Sequence, residues 1–399
     1  MRIAGLFAGI GGIELGFHRA LGDEAETALL CEWWEPAQAV LTHRFPDADI
    51  HPDVRELRDL PADVDVLAAG FPCTDLSQAG RTAGIRGQQS GLVSHVFAML
   101  STRKERGGRL PLLVIENVPN MLTLDRGEAM RYLVTELEGL GYRWAYRVVD
   151  SRSTGLPQRR RRVLLVASTE IDPSGILFAD EAGERPAADY RDDAFGFYWT
   201  EGKGGLGWAP DAVPTLKGGS TIGIASPPAI WLPGGRTDGQ DLVVPAIEDA
   251  EALQGFPRAW TDVDFGIGGA RRGGTRWKMI GNAVTTRVAE WLGGRIAQPG
   301  EVACETEDWS QSRWPTAASG FAGTVTRVAA SEFPILRPYE HLLDVVDAET
   351  APTLSARAVA GFHNRLRKGN LGWYPGFREA VAANDDRAAT GTATTPATA

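Results

Sequence analysis

A cysteine stands directly after a proline in the stretch GFPCTDLSQAG, Gly70 to Gly80, and it is one of three cysteines in a chain of 399 residues. A thiol so placed is either a small buried hydrophobe at the end of a strand or an exposed nucleophile. Two other groups could work with it. Glu116 closes the apolar run LLVIE, and a carboxylate at the C-terminal end of a strand in an open parallel sheet lies on the edge where ligand crevices form. The run QRRRR, Gln158 to Arg162, immediately precedes a further apolar strand and could bring guanidinium groups to that same edge. The plain alternatives are a surface glutamate and a solvated basic face.

A second constellation concerns a bound cofactor. LFAGIGG, Leu6 to Gly12, is a strand entering a glycine-rich turn and then a helix. Glycines let backbone approach a ligand, and a helix N-terminus offers unpaired N–H groups to its polar part. The next strand ends at Glu32, followed by Trp33. A carboxylate at that tip can accept hydrogen bonds from ribose hydroxyls, and an indole can stack on adenine. Together these point to an adenosine-containing cofactor. The spacing GIGG departs from GxGxxG, which favours S-adenosylmethionine over NAD or FAD.

The elements that must position these groups follow from apolar patterning. Strands are expected at Arg2 to Phe7, Thr27 to Glu32, Val64 to Ala69, Leu112 to Glu116, Arg143 to Val149 and Val163 to Ala167, with helices at Gly11 to Leu21, Pro36 to Phe45 and Gly127 to Leu140. Strands separated by helices imply an α/β, doubly wound, mostly parallel Rossmann-like sheet covered on both faces. From about Ser168 to Val244 the chain turns rich in Gly, Pro, Trp and Asp, which predicts a smaller loop- and strand-rich domain. Helical patterning returns at Ile247 to Leu253 and from Asn282 to Ile296. SARAVAGFHNRLRK, Ser355 to Lys368, carries order signals in the tail region, and TGTATTPATA ends the chain as a disordered tail.

Composition narrows the classes. The content of 43% hydrophobic and 23% charged residues is that of a globular protein with room for a sizeable core. Few, scattered cysteines and no CxxC or HExxH spacing argue against a disulfide scaffold and against a metal. The absence of a signal-like N-terminus or a membrane-length apolar run sets the expectation of a cytoplasmic protein. A net charge of -10 works against phosphate contacts, yet the basic runs QRRRR and TRKERGGR (Thr102 to Arg109) could form local faces for DNA.

LFAGIGG, GFPC, ENV at Glu116 to Val118, the QxRxR pattern of Gln158, Arg160 and Arg162, LQGFP at Leu253 to Pro257 and GNAV at Gly281 to Val284 occur in one order along nearly the whole first three hundred residues. In that series the chain resembles the DNA (cytosine-5)-methyltransferases. The resemblance implies S-adenosylmethionine as methyl donor, no metal, and methyl transfer to C5 of a flipped-out cytosine in duplex DNA through a covalent adduct at C6. It makes Cys73 the nucleophile, Glu116 the residue at N3 and the exocyclic amine of the base, and Arg160 and Arg162 supports of the base and the catalytic loop. Phe7, Gly9, Gly11, Glu32, Trp33, Asp53, Leu92, Asn282 and Val284 match cofactor-side positions. Ser77, Arg81 and Arg86 in the loop after Cys73, and the pair Thr215 and Leu216, are expected at the DNA.

The resemblance also suggests a division of the chain. Residues 1–168, completed by 281–299, would form the catalytic domain, and 169–280 the target-recognition region. Residues 300–385 would be an extension of unknown role, and 386–399 a disordered tail. The protein is expected to be a prokaryotic or phage-encoded monomer, with a cognate restriction enzyme as a further partner. Thr74 stands where the family often has glutamine, and Cys31 where it often has asparagine. Three rival functions stay open on sequence: cytosine-5 methylation of RNA, a DNA-binding relative without turnover, and a flavin or nicotinamide oxidoreductase.

Overall fold

The computed structural model describes residues 1–71, 91–200, 205–218, 227–310 and 313–389. Its first part alternates strands β1 (Arg2–Leu6), β2 (Glu26–Cys31), β3 (Asp49–His51), β4 (Val66–Ala69) and β5 (Leu112–Asn117) with helices α1 (Gly12–Leu21), α2 (Glu35–Arg44) and α3 (Leu92–Glu105). Helix α4 (Glu128–Leu140) then leads to β6 (Arg143–Asp150), the short β7 (Gln158–Arg159) and β8 (Arg161–Ser168). The first five strands lie parallel in the order β3-β2-β1-β4-β5. The chain builds outward from β1 to one side and then crosses to the other. This reversal beside β1 and β4 opens a crevice at the carboxyl ends of the strands. β8 enters antiparallel between β5 and β6, a direction that an apolar run such as VLLVA cannot reveal.

The strands are apolar on both faces because helices cover both. On one face α3 and α4 set Val96, Leu100, Leu133 and Leu137 against Leu67, Ile115 and Leu165. On the other, Phe17 of α1 meets Val288 and Leu292 over Ile3, Val66 and Val166.

Beyond β8 the elements shorten. β9 (Phe195–Phe197), β10 (Ala209–Pro210), β11 (Val213–Pro214), β12 (Ala229–Trp231) and β13 (Leu242–Val243) are two or three residues long. β10, β9, β12 and β13 form a small sheet, while β11 pairs in parallel with β7. Helices α5 (Ile247–Leu253), α6 (Ala270–Asn282) and α7 (Thr286–Ala297) follow. Gly16 and Gly293 let α7 pack tightly onto α1, since a Cβ at Gly16 would stand 2.5 Å from the Ala289 side chain. Helix α6 is absent from the patterning of the sequence, because Gly273 and Gly274 interrupt its apolar spacing.

The segment expected to be one extension is shared between the two sheets. β14 (Thr306–Asp308), β15 (Ala317–Phe321) and β16 (Thr324–Val328) continue the central sheet past β6, making it ten-stranded in the order β14-β16-β15-β6-β8-β5-β4-β1-β2-β3. Helices α8 (Ala356–Lys368) and α9 (Phe377–Ala389) instead cover the small sheet, with Phe362 and Phe377 about the Phe197 ring at 5.3 and 5.0 Å. Helix α9 carries order to Ala389, past the expected start of the disordered tail at 386, because Phe377 and Val381 are buried in that contact.

Candidate active site at the carboxyl edge of the sheet

A cavity of about 710 Å³ opens at the reversal of strand order. Its walls take Phe7 and Gly9 from the turn after β1, Glu32 and Trp33 from the end of β2, and Asp53 from the loop after β3. Leu92 at the start of α3, Glu116 at the end of β5, Arg160 and Arg162 beside β8, and Asn282 at the end of α6 complete it. Residues 100 or more apart in sequence meet because each stands where a strand or helix ends on one edge.

The turn after β1 is conformationally demanding. Gly9 and Gly11 have φ of 57° and 79°, and Phe7 has a φ of 56°, which is costly for an aromatic residue. Glu32 helps hold this shape: one carboxylate oxygen accepts the Gly9 N–H at 2.8 Å and the other the Trp34 N–H at 2.9 Å. Burial pushes the Glu32 carboxyl up from its ordinary range, and the N–H donors of Trp34, Gly9 and Trp33 act against that shift. The Trp33 ring is 70% exposed and carries the Arg55 guanidinium 5.3 Å from its centre. Arg55 in turn pairs with Asp53, and this contact holds the Asp53 carboxyl below its usual range.

Gly11 and Val284 were expected on the cofactor side and lie outside the cavity wall. A Cβ at Gly11 would stand 2.3 Å from the Phe45 ring, so this glycine permits helix packing beneath the turn. Val284 packs among the apolar residues between α1 and α7, with its carbonyl against Gly12.

On the opposite wall Arg162 Nε lies 2.8 Å from Glu116 Oε1, both side chains mostly buried. The contact is an ion pair without an aligned hydrogen bond, and Glu116 Oε1 has no hydrogen-bond partner among the described residues. That oxygen is itself buried against the Arg162 guanidinium. Asn117, the next residue, donates from Nδ2 to the Phe71 carbonyl at 2.9 Å, and so fixes the chain where it enters GFPC. Cys73, Ser77, Arg81 and Arg86 all fall in residues 72–90, outside the described residues.

Arg160 does different work from Arg162. Its guanidinium is buried and donates to the carbonyls of Leu216 at 3.0 Å and Ala283 at 2.7 Å, bridging the β11 loop to GNAV. Burial, with a contribution from the Arg162 charge, pushes this guanidinium down to about 9. Next to it the Gln158 amide donates to Gln254 Oε1 and the Leu253 carbonyl, both at 2.9 Å, and Gln254 donates onward to the Ile280 carbonyl. These two amides join QxRxR, LQGFP and GNAV into one buried polar network. Spacing gives no sign of it, because the three segments meet only in the fold.

Some expected DNA contacts are placed elsewhere. Leu216 is fully buried, and its N–H and carbonyl are taken by Gln158 and Arg160, which leaves its side chain no surface to offer DNA. Thr215 turns its hydroxyl to the Arg159 carbonyl. In TRKERGGR, Arg103 is spent on Asp59 and on the carbonyls of Leu60 and Arg109, and Arg109 on Asp65 and Glu170. No free basic face arises there from those two arginines.

A doubly wound sheet with an acidic tip at the end of β2 and a polar wall of Glu116 and Arg162 at β5 and β8 is the frame of a Rossmann-like methyltransferase. Comparison with known proteins gives the family. The model for C-5 cytosine-specific DNA methylases matches residues 1–180. Type II methyltransferase M2.BsuMI of Bacillus subtilis (strain 168) is 44% identical over 375 residues, covering 92% of this chain and 94% of the relative. Type II methyltransferase M.BsuFI of Bacillus subtilis is 34% identical over 40% of this chain and 37% of its own length. In fold, the chain is similar to the crystal structure of the S. pombe Dnmt2 methyltransferase, with a TM-score of 0.52 and 16% identity over 75% of this chain and 98% of that one. The chain belongs to the C-5 cytosine-specific DNA methylases, and it is a DNA (cytosine-5-)-methyltransferase dependent on S-adenosylmethionine. No helix among the described residues is long and apolar enough to cross a membrane.

Proposed function

We propose that the two walls of the cavity divide the reaction between them, with the methyl donor held by the β1–β2 side and the target cytosine by Glu116 and Arg162. The observation that carries this is the mostly buried Glu116 carboxylate, which lines the cavity and is ion-paired through Oε1 with the Arg162 guanidinium. The β1–β2 wall suits an adenosine-bearing cofactor in its donor set: a carboxylate fixed by two backbone N–H groups, an exposed indole beside it, and glycine backbone in open approach. Glu32 would hold the ribose, Trp33 would flank the adenine, and Phe7, Gly9, Asp53, Leu92 and Asn282 would shape the remainder. S-adenosylmethionine supplies a methyl group made electrophilic by its sulfonium sulfur.

The chain's own residues would prepare the cytosine. Cytosine C5 is a weak nucleophile at neutral pH until a nucleophile adds at C6, and the Cys73 thiolate is assigned that addition. As the S–C6 bond forms, negative charge develops toward N3, where a protonated Glu116 carboxyl would donate. Arg162, fixed against Glu116, would orient that carboxyl and offer N–H groups to the base. Arg160 would act from behind as a strut that keeps the wall closed. None of these groups reaches a stacked base, so the cytosine must be flipped out at a cost of a few kcal/mol. Thiolate and sulfonium together supply nucleophile and electrophile, so the assigned chemistry calls for no metal.

We further propose that residues 1–168 with 281–299 act as the catalytic unit and 169–280 as the recognition region. The protein would work as a monomer on duplex DNA in the cytoplasm beside a cognate restriction enzyme; the relatives named Type II methyltransferases support the methyltransferase reading. Purified protein is expected to transfer labelled methyl from S-adenosylmethionine to duplex DNA, and Cys73→Ala to abolish the transfer. Labelling of tRNA with none on duplex DNA would overturn the choice of substrate.

A further inference from the structure

Helix α8 carries cations and no carboxylate, while the acidic residues of the hairpin, Glu379, Asp385 and Asp386, all lie on α9. From Ala356 to Arg378 the sequence holds Arg357, Arg365, Arg367, Lys368 and Arg378 and no Asp or Glu, in a protein of net charge -10. Helix α8 is amphipathic: Ala358, Val359, Phe362 and Leu366 are buried against the small sheet. Arg357, Asn364, Arg367 and Lys368 are all exposed, at spacings that set them on the opposite stripe.

Arg109, Arg161, Arg258 and Arg327 each meet a carboxylate within 4 Å, whereas Arg357, Arg367 and Lys368 have no such partner among the described residues. Helix stability accounts for only some of them. Cations in the last turn complement the helix dipole, but Arg357 stands in the first turn, where the dipole disfavours it. Its charge is therefore not spent on the helix dipole.

The hairpin is also tied to the cleft side of the recognition region. The Arg365 guanidinium donates to the Trp199 carbonyl. The preceding residue, Tyr198, donates its hydroxyl to the Thr215 carbonyl at 2.7 Å, and Leu216 beside it is held by the cavity residue Arg160. A short chain of direct contacts therefore links α8 to the wall of the active-site cavity.

We propose that the exposed stripe of α8 is a second contact surface for duplex DNA, gripping the sugar–phosphate backbone outside the flipped base. Arg357 and Arg367 are ten residues apart, roughly 15 Å along the helix axis. Duplex DNA presents one charge per about 1.7 Å of its axis, so a stripe of that length can meet several phosphates. Such contacts position the protein on the duplex and read no sequence. The inference rests on duplex DNA as the substrate.

The test uses the full chain and a random-sequence duplex, with affinity measured across a salt series. Each cation that neutralises a phosphate adds about 0.9 to the steepness of log K against log salt, so Arg357→Ala, Arg367→Ala and Lys368→Ala combined should flatten it by about 2.7. The same variant should keep the wild-type melting temperature and the wild-type single-turnover methylation rate at saturating DNA. Arg357→Lys with Arg367→Lys should retain the wild-type slope, which separates charge from packing. A triple variant with unchanged slope and affinity overturns the inference. Methylation of duplex DNA by the wild type is scored separately, so failure of the substrate assignment shows as loss of that activity and not as an unchanged slope.

Discussion

The catalytic edge and the recognition side are stabilised in opposite ways. At the catalytic edge, long strands buried on both faces bring polar groups to fixed termini, and each group is held by one or two short contacts: Glu32 by backbone N–H groups, Glu116 by Arg162, Asn117 by the Phe71 carbonyl. On the recognition side the strands are two or three residues long, and aromatic packing replaces the ladder. Phe195, Trp208 and Trp231 meet Tyr374 and Phe377 from a segment that lies well over a hundred residues further along the chain. An active site needs a few atoms in set places, whereas a recognition surface needs a platform whose loops can differ without loss of the core.

The largest effect should come from the catalytic edge. Glu116→Gln keeps the shape of the side chain but cannot hold a carboxyl proton at N3, and it loses the charge that Arg162 pairs with. A fall of about 10²- to 10⁴-fold in the methylation rate is expected, the usual range for a positioned acid or base. Because the change leaves the recognition platform untouched, DNA affinity measured by anisotropy should stay near wild type. A variant whose DNA binding fell in proportion to its rate would show that the two regions are not separable in this way.

Phe377→Ala probes the other region. Phe377 is fully buried between Phe197, Trp208, Trp231 and Phe362. Truncating a buried phenylalanine costs about 3–5 kcal/mol. Hydrogen exchange should report where the cost falls, with amides of β9 and β12 losing protection and those of β1, β4 and β5 keeping theirs. Equal loss in both would mean that the small sheet and the central sheet unfold as one unit.

How much the sequence reveals follows the same contrast. β1, β2, β4, β5, α1 and α4 are legible because a two-sided apolar strand or an amphipathic helix is a local pattern, and the site residues at their ends come with them. Gln158 and Gln254 are legible only as motif letters, since their mutual hydrogen bond joins positions 96 apart. The hairpin of α8 and α9 shows as an ordered amphipathic stretch, but nothing local says that its apolar face belongs on Phe197 or that β14–β16 will extend the central sheet. Residues such as Leu216 mislead for the reverse reason: a local Thr-Leu pair carries no information about burial.

The smallest expected effect sharpens the comparison from inside the catalytic region, which also contains an uncompensated group. Glu14 lies on α1 just below the glycine turn, fully buried, with Oε2 lacking any partner among the described residues. Gly5 on β1 accommodates it, since a Cβ there would stand 2.1 Å from Glu14 Oε1. Burial raises the carboxyl from 4.5 to about 7, against a smaller opposing contribution from its own backbone N–H. The folded protein therefore holds this proton more tightly than the unfolded chain. The stability contributed by the neutral carboxyl is fully present below pH 4.5 and is lost as pH rises through about 7. Two and a half pH units of differential binding correspond to a loss on the order of 3 kcal/mol. Glu14→Gln has no proton to lose, so denaturant unfolding of the two proteins between pH 4.5 and 8 should show the wild type falling relative to the variant across that window. Parallel curves would mean that the folded protein solvates the Glu14 carboxylate after all, and that the catalytic region carries no such charge strain beneath its glycine turn.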